Sequence, residues 1–169
     1  YAVPADNIST TINGIDMARF SPAAVDAPGT TALAEELRLR PGSRRIVFVS
    51  RMDTDCSMVA EQLIEVAPAL RERYGDVEII LVGGGSDYAR ISALAEKVNT
   101  AAGQRVIHPI GRRTDIEHCL ALGDIFVGVS RATLEAMSVG KPVVVAGNEG
   151  WLGTLTEENL SAAMDTNFC

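Results

Sequence analysis

The sequence contains few cysteines and no long apolar run, and each absence excludes a class of protein. Its three cysteines, Cys56, Cys119 and Cys169, form neither a close pair nor a zinc-binding spacing, so no disulfide framework and no metal site are predicted. Reduced thiols of this kind are typical of a cytosolic protein. No apolar stretch reaches the roughly 20 residues that a membrane-spanning helix requires, and no signal peptide opens the chain. We therefore expect a cytoplasmic protein with no transmembrane segment in this chain.

Positive charge is scarce as well. The 15 Lys and Arg residues are outnumbered by 22 Asp and Glu residues, which gives a net charge of -7. Because a nucleic-acid-binding surface needs a basic stripe, we expect no nucleic-acid partner, although a few local cations suffice for a single nucleotide. At 169 residues the chain is long enough to bury a core. It does not begin with Met and it ends on the apolar stretch 167–169, which suggests a C-terminal fragment of a longer polypeptide.

The first 40 residues are predicted to be a lead-in segment. Residues 8–12 alternate weakly like a strand, and residues 20–29 are rich in Pro and Ala and are predicted to be a loop. A short helix is predicted over residues 31–40, where Pro41-Gly42 ends it. The main domain is expected to span residues 41–169.

Apolar strands alternate with amphipathic helices throughout residues 41–169. Strands that are apolar at every position, such as 46–49, are typical of a parallel sheet covered on both faces. Capping boxes at Thr114/Glu117 and Thr154/Glu157 are predicted to open two short helices. The predicted fold class is therefore α/β, a doubly wound, mostly parallel sheet with helices on both faces.

Ligands of doubly wound folds bind beyond the carboxyl ends of the strands, near the point where the strand order reverses. The predicted strand ends that meet at this edge are residues 50–51, 83–86, 111–114, 130–131 and 147–150. Candidate site residues are therefore sought in these five segments.

A glycine loop joins one predicted strand to a helix at this edge. The backbone of Gly83, Gly84 and Gly85 carries no Cβ atoms and can approach a ligand closely, and a helix N-terminus favours anions. A tight structural turn explains the loop equally well. The third glycine of the dinucleotide fingerprint is replaced by Tyr88, and the next strand lacks the acidic residue that would hold a ribose. A nicotinamide dehydrogenase therefore ranks last among the functions considered.

Two arginines at strand ends are candidate substrate-binding residues. Arg51 follows the first strand of the main domain, where a guanidinium can grip a diphosphate through two hydrogen bonds. The alternative is a surface arginine paired with Asp53 or Asp55. Arg112, in the segment 111–114, is the second candidate.

The remaining candidates lie on a short predicted helix over residues 132–139 and in the turn just before it. Ser130, Arg131 and Thr133 offer two hydroxyls and a guanidinium, and Glu135 lies one turn into the helix. A carboxylate there can accept two hydrogen bonds from a ribose diol. Small and apolar neighbours indicate a mostly buried helix, in which a charge needs a partner or a ligand. Arg131 is either a phosphate contact or that partner.

No catalytic residue is predicted in this chain. The sequence contains no nucleophile with a base and an orienting group, and no carboxylate pair with convincing acid–base spacing. Residues His108 and His118 have no partner in motif spacing and are predicted to be structural or solvated. We therefore expect a domain that binds a leaving group.

The order and spacing of these segments resemble the C-terminal donor-binding lobe of group 1 (family 4-like) glycosyltransferases, which have the two-lobed GT-B fold. The segments that carry the resemblance are Asn13-Gly14-Ile15-Asp16 with Phe20-Ser21-Pro22, Val47 to Arg51, Ile80 to Gly85, Gly111 with Thr114-Asp115, and Leu134-Glu135-Ala136-Met137 with Gly140-Lys141-Pro142-Val143. The last of these is the most specific.

The resemblance implies a sugar transferase of bacterial type that uses a nucleotide sugar. In that family Arg51 would neutralise the departing diphosphate and Glu135 would hold the ribose. Transfer would proceed with retention and without a metal or another cofactor. The acceptor site would belong to an N-terminal lobe of the same polypeptide, so the isolated chain is expected to be inactive.

Two positions depart from the family pattern. Cys56 stands where many members carry Lys, and Val127 stands eight positions before Glu135, where the paired-glutamate motif expects Glu. A shortened loop before Ser130 is the alternative alignment. These departures leave two other functions open, namely a binding-only module with eroded contacts and a lobe of a sugar-nucleotide epimerase.

Overall fold

The computed structural model describes residues 4, 7, 14–25 and 27–169. The weak strand predicted over residues 8–12 lies outside the described residues. In chain order the described elements are α1 (Ala27–Glu36), β1 (Arg44–Val49), α2 (Met58–Tyr74), β2 (Val77–Val82), α3 (Tyr88–Ala102), β3 (Ile107–Gly111), α4 (Ile116–Leu122), β4 (Ile125–Gly128), α5 (Ser130–Ser138), β5 (Val143–Gly147), β6 (Gly150–Thr154) and α6 (Leu160–Asp165).

The strands form one six-stranded sheet in the order β3-β2-β1-β4-β5-β6. The first five strands are parallel, and β6 runs antiparallel to β5. The strand order reverses between β1 and β4, where Phe48 pairs with Val127. The predicted α/β fold class is confirmed, and the carboxyl ends of the parallel strands meet at one edge.

Helices cover both faces of the sheet because the strand residues alternate between two apolar clusters. Val47, Ile80 and Phe126 pack with residues of α1, α4 and α5. Phe48 and Ile79 point the other way and pack with residues of α2 and α3. Strands buried on both faces are the reason for the continuous apolar runs in the sequence.

Helix α1 begins earlier and ends earlier than predicted. It spans Ala27–Glu36, and Pro28 lies in its first turn. Backbone N–H groups in the first turn have no acceptor within the helix, so proline, which has no N–H, costs no hydrogen bond there. Residues 31–40 were expected to be helical, but Arg38 has a φ of 55° and the chain turns there towards β1. Leu33, Leu37 and Leu39 are buried and join the core cluster of α4 and α5.

Both predicted capping boxes are wrong. Helix α4 has no side-chain cap bond, and Glu117 Oε2 instead accepts a hydrogen bond of 2.8 Å from Arg19 Nε. Thr154 is the last residue of β6, a strand that was not expected from the sequence. Before α6 the backbone N–H of Thr156 donates to Asn159 Oδ1 at 2.8 Å.

A buried pair of polar side chains joins β2 to β3. His108 Nε2 lies 2.8 Å from Glu78 Oε1, and both side chains are fully buried. The other carboxylate oxygen of Glu78 accepts from Ser43 Oγ at 2.5 Å and from the backbone N–H of Arg40 at 2.9 Å. Burial raises the pKa of Glu78, but these hydrogen bonds outweigh it and lower the pKa to about 2. His108 therefore has a structural role.

The helices of the described residues include none that is both long enough and apolar enough to cross a membrane.

Candidate functional site

The connection from β1 to α2 presents an exposed guanidinium at the point where the strand order reverses. The backbone N–H groups of Ser50 and Met52 donate to the carbonyls of Val82 and Gly84, each at 3.1 Å, so the connection is fixed to the end of β2. Met52 is fully buried beneath it. The side chain of Arg51 is 70% exposed and lies 3.3 Å from Asp53 Oδ2 and 3.3 Å from Cys56 Sγ. The guanidinium is thus held loosely and stays open to a ligand.

The glycine loop packs directly on this connection. A Cβ on Gly83, whose φ is 140°, would lie 1.7 Å from the carbonyl oxygen of Ser50. A Cβ on Gly85 would lie 2.4 Å from the carbonyl carbon and oxygen of Met52. Two of the three glycines are therefore required by close backbone packing, which accounts for the loop without a ligand.

Asp53 connects the glycine loop to both candidate arginines. Its Oδ1 accepts a hydrogen bond of 2.9 Å from the backbone N–H of Ser86. That bond is the main reason why the pKa of Asp53 is lowered, and the charges of Arg51 and Arg112 lower it further. Arg112 follows β3 and lies beside Gly84, since a Cβ on that glycine would be 3.6 Å from Arg112 Cβ. Arg51 and Arg112 thus act on the same carboxylate.

The connection from β4 to α5 consists of Val129 alone. Val127 lies in β4 itself. Ser130 has a φ of 57°, and its backbone N–H donates to the carbonyl of Phe168 at 2.7 Å. Asn167 Nδ2 lies 3.4 Å from Ser130 Oγ. The C-terminal residues therefore lie at the start of α5.

Glu135 is buried in α5 and is paired with Arg131. Arg131 Nε donates to Glu135 Oε1 at 2.8 Å, and the side chains are 64% and 9% exposed, respectively. The charge of Glu135 also contributes to the raised pKa of Arg19, so the carboxylate lies within electrostatic range of that guanidinium. Arg131 was expected to be either a phosphate contact or the partner of Glu135, and in the structure it is paired with Glu135.

Thr133 is also buried in α5, and its hydroxyl has no hydrogen-bond partner within the described residues. An unpaired buried hydroxyl is costly, so the site is polar in a place where packing alone would favour an apolar side chain.

A cavity of about 340 Å³ opens between the ends of β1, β4 and β5. Its floor is apolar and its rim carries Arg51 and the turn between β5 and β6. The residues that line it are Phe48, Ser50, Arg51, Asp55, Cys56, Val59, Val129, Ala146, Gly147, Asn148, Glu149 and Cys169. Asn148 Nδ2 donates to the carbonyl oxygen of Asp55 and so joins two sides of the rim.

The structure therefore brings the predicted residues to one edge in two groups. Arg51, Arg112 and the glycine loop adjoin Asp53, whereas Ser130, Arg131, Thr133 and Glu135 lie on α5. Phe48 of β1 pairs with Val127 of the neighbouring strand β4. Arg51 lies three residues after Phe48, and Ser130 lies three residues after Val127, so both follow the ends of adjacent strands. Only Arg51 of these residues lines the cavity.

Three further residues line the cavity without having been candidates from the sequence, namely Asn148, Glu149 and Cys169. The segment 147–150 was recognised as a strand end, but the turn it forms depends on β6. Cys169 reaches the cavity through tertiary folding, and its sequence neighbourhood contains no motif that predicts this. Within the described ranges, no group of His, Cys, Asp and Glu side chains is arranged to hold a metal ion.

A family model described as "Glycosyl transferases group 1" matches residues 43–164 of the chain. This is most of the chain and covers β1 to α6. The comparison with curated proteins gives no match.

Solved structures of glycosyltransferases share the fold. A glycosyltransferase from Rickettsia africae ESF-5 is 20% identical with a TM-score of 0.67, over 83% of this chain and 38% of that one. Anabaena Alr3699/HepE, solved in complex with UDP-glucose, is 23% identical with a TM-score of 0.60, over 78% and 36%. The C-terminal domain of a group 1 glycosyl transferase (LpcC) from Francisella tularensis is 22% identical with a TM-score of 0.57, over 77% and 69%. The chain thus spans little more than a third of the first two proteins.

Proposed function

Because the chain belongs to the group 1 glycosyl transferases, we propose that it is the donor-binding lobe of an enzyme that transfers a sugar from a nucleotide sugar to an acceptor. Transfer proceeds with retention and requires no metal ion or other cofactor. The acceptor site and the second wall of the cleft belong to an N-terminal lobe of the same polypeptide. The isolated lobe binds the donor but does not turn it over.

The observation that supports this proposal best is the exposed guanidinium of Arg51 at the strand-order reversal. It lies beside a cavity of about 340 Å³ in a protein whose net charge is -7. In open α/β sheets this crevice is the usual ligand site. An arginine that is 70% exposed and only loosely paired can turn to a diphosphate at little cost.

The roles of the individual residues follow from their charge and placement. Arg51 and Arg112 bind the diphosphate and stabilise the negative charge that grows on it as the sugar leaves. Gly83, Gly84 and Gly85 keep the backbone close to these two arginines.

Helix α5 supplies the groups for the ribose. Glu135 accepts the ribose hydroxyls through Oε2, which has no hydrogen bond within the described residues. Arg131 keeps the carboxylate oriented, and Ser130 and Thr133 offer hydroxyls at the first turn. The unpaired hydroxyl of Thr133 is one reason to expect a polar ligand there.

The test is calorimetric titration of the chain with UDP, GDP and ADP. We expect one of them to bind, and we expect Arg51→Ala and Glu135→Ala each to weaken that binding by about 1.5–3 kcal/mol, the usual contribution of a hydrogen bond to a charged group. Glu158→Ala, which changes an exposed carboxylate on the segment before α6, is the matched control and leaves the affinity unchanged. If none of the nucleotides bound at millimolar concentration, the proposal would be wrong.

A binding-only module is the second candidate, because two contacts of the family pattern are missing. Burial raises the pKa of the Cys56 thiol, so this residue stays neutral where a lysine would be cationic. The loop that would carry a glutamate is reduced to Val129. Turnover of a nucleotide sugar by the two-lobed protein would exclude this alternative.

A further inference from the structure

The arginines without an ion pair are concentrated at the edge of the sheet opposite the candidate site. Of the 13 arginines, Arg19, Arg40, Arg51, Arg90, Arg113 and Arg131 form ion pairs. The remaining seven have no ion pair within the described residues. Five of these, Arg44, Arg45, Arg71, Arg73 and Arg105, lie where the strands begin, and we call them the basic edge. Arg38 precedes β1 by six positions, and only Arg112 lies at the carboxyl edge.

Chain topology sets this placement. Arg44 and Arg45 open β1, and Arg105 comes two residues before β3. Arg71 and Arg73 lie in the last turn of α2, which returns the chain to the start of β2. Cations at a helix C-terminus interact favourably with the helix dipole, which is a structural reason for the two arginines of α2. Arg44 has a similar structural role, because its Nη1 donates to the carbonyl of Tyr74 at the end of α2 at 2.8 Å, and Arg45 Nη2 donates to the carbonyl of Arg40 at 3.0 Å. Neither of these hydrogen bonds neutralises a guanidinium.

The carboxylates of this edge do not neutralise the basic edge. Asp76 and Glu78 are engaged by Arg40, at 2.6 Å and 3.3 Å. Asp124 accepts the backbone N–H of Arg45 at 2.8 Å. Glu72 is an exposed carboxylate beside Arg71 and Arg73 in α2, and it forms no ion pair within the described part of the chain. With Arg40 counted, six guanidiniums and four carboxylates lie at this edge, so positive charge exceeds negative charge by two there, in a protein that is acidic as a whole.

Exposed apolar side chains lie among these guanidiniums. Tyr74 is 47% exposed and Ile125 is 40% exposed. The guanidinium carbons of Arg44 and Arg73 are 6.0 Å and 5.4 Å from the centroid of the Tyr74 ring. A depression of about 680 Å³ runs between these side chains, lined by Gly42, Ser43, Arg44, Arg45, Ile46, Leu70, Tyr74, Val77, Asp124 and Ile125.

We propose that the basic edge binds the surface of a membrane that contains anionic phospholipids. Arginines near such a surface each contribute about 1 kcal/mol, and a partly exposed tyrosine and an aliphatic side chain suit the interfacial region. A purely polyanionic partner would gain nothing from Tyr74 and Ile125, so their exposure favours the membrane. This surface is separate from the nucleotide site, which faces away from the bilayer.

The test is co-sedimentation of the chain with phospholipid vesicles at low ionic strength. We expect binding to phosphatidylcholine vesicles that contain about 30% phosphatidylglycerol and none to phosphatidylcholine alone, because the attraction requires anionic headgroups. Arg44→Gln together with Arg73→Gln should weaken partitioning about 30-fold, the equivalent of about 2 kcal/mol. Both side chains are exposed, and circular dichroism verifies that the variant is folded.

The matched control carries the same charge change at the opposite edge. Arg51→Gln with Arg112→Gln should leave vesicle binding unchanged and should weaken nucleotide binding. Arg44→Gln with Arg73→Gln should do the opposite, weakening vesicle binding and leaving nucleotide affinity unchanged. Tyr74→Ser should weaken vesicle binding without changing its dependence on salt. The proposal is overturned if the unmodified chain ignores anionic vesicles, if both double variants weaken binding equally, or if Tyr74→Ser has no effect and polyglutamate competes as well as the vesicles.

Discussion

Two neighbouring glycines differ sharply in what they tolerate, although the sequence presents them as equivalent. A Cβ on Gly85 would lie 2.4 Å from the backbone of Met52. Met52 is fully buried, so its backbone has no room to move away. A Cβ on Gly84 would meet its nearest neighbour, Arg112 Cβ, at 3.6 Å, which is an ordinary contact. The glycine loop is therefore constrained at particular positions.

We predict that Gly85→Ala lowers the free energy of unfolding by about 1–3 kcal/mol, the usual cost of overpacking, whereas Gly84→Ala lowers it by less. Thermal unfolding of the two variants measures the difference. Gly85→Ala should also weaken nucleotide binding, because it displaces the connection that carries Arg51. Equal stability of the two variants would show that the loop relaxes freely.

Some features of the candidate site could be predicted from the sequence and others could not. Arg51 and Glu135 follow from their positions after a strand and inside a short helix. The packing of Gly83 on Ser50 could not be predicted, because it depends on the register between β1 and β2. The contact of Cys169 with the cavity was equally inaccessible, since it depends on where α6 directs the chain.

At the scale of elements, the link between β2, β3 and the segment before β1 depends on the charge of Glu78. Its carboxylate accepts hydrogen bonds from His108, Ser43 and the backbone of Arg40. The pKa of Glu78 is lowered from 4.5 to about 2, so the folded state binds this proton less readily than the unfolded state does. The resulting stabilisation is fully present above about pH 4.5 and is lost as the pH falls towards 2.

We predict that Glu78→Gln removes this pH dependence. The unmodified chain should lose up to about 3 kcal/mol of its unfolding free energy between pH 5 and pH 2 because of this group, as the pKa difference requires. Urea unfolding at several pH values measures the slope, with Glu158→Gln as the exposed control. Identical slopes for Glu78→Gln and the unmodified chain would contradict the assignment.

Regular elements were predicted better than their ends. The strands β1 to β5 follow from their apolar runs, which a parallel sheet covered on both faces favours, although β2 also contains Glu78 and β3 contains His108 and Pro109. Strand β6 was missed because it contains two glycines and its Trp151 is 79% exposed, so it carries no apolar pattern. The first capping box failed because Glu117 binds Arg19, a residue 98 positions away. The second failed because Thr154 ends β6 and α6 begins only at Leu160.

At the scale of the whole molecule, the two ends of the parallel strands have different surfaces. The carboxyl edge has a cavity with a loosely held arginine and a buried carboxylate nearby. The amino edge has arginines without ion pairs around exposed apolar side chains. A donor site at one edge and a membrane-binding surface at the other would keep the nucleotide in water while the lobe stays near a lipid surface.

The central claim is that a nucleoside diphosphate binds at the carboxyl edge between β1 and β4. Titration of the ¹⁵N-labelled chain with UDP, or with whichever nucleotide binds, tests it through the backbone amide shifts. We predict that the shifts concentrate in residues 50–56, 83–86, 111–114 and 129–135, which converge only at that edge. Shifts confined to the opposite edge, around residues 71–78, or shifts in only one of the groups carrying Arg51 and Glu135, would contradict it.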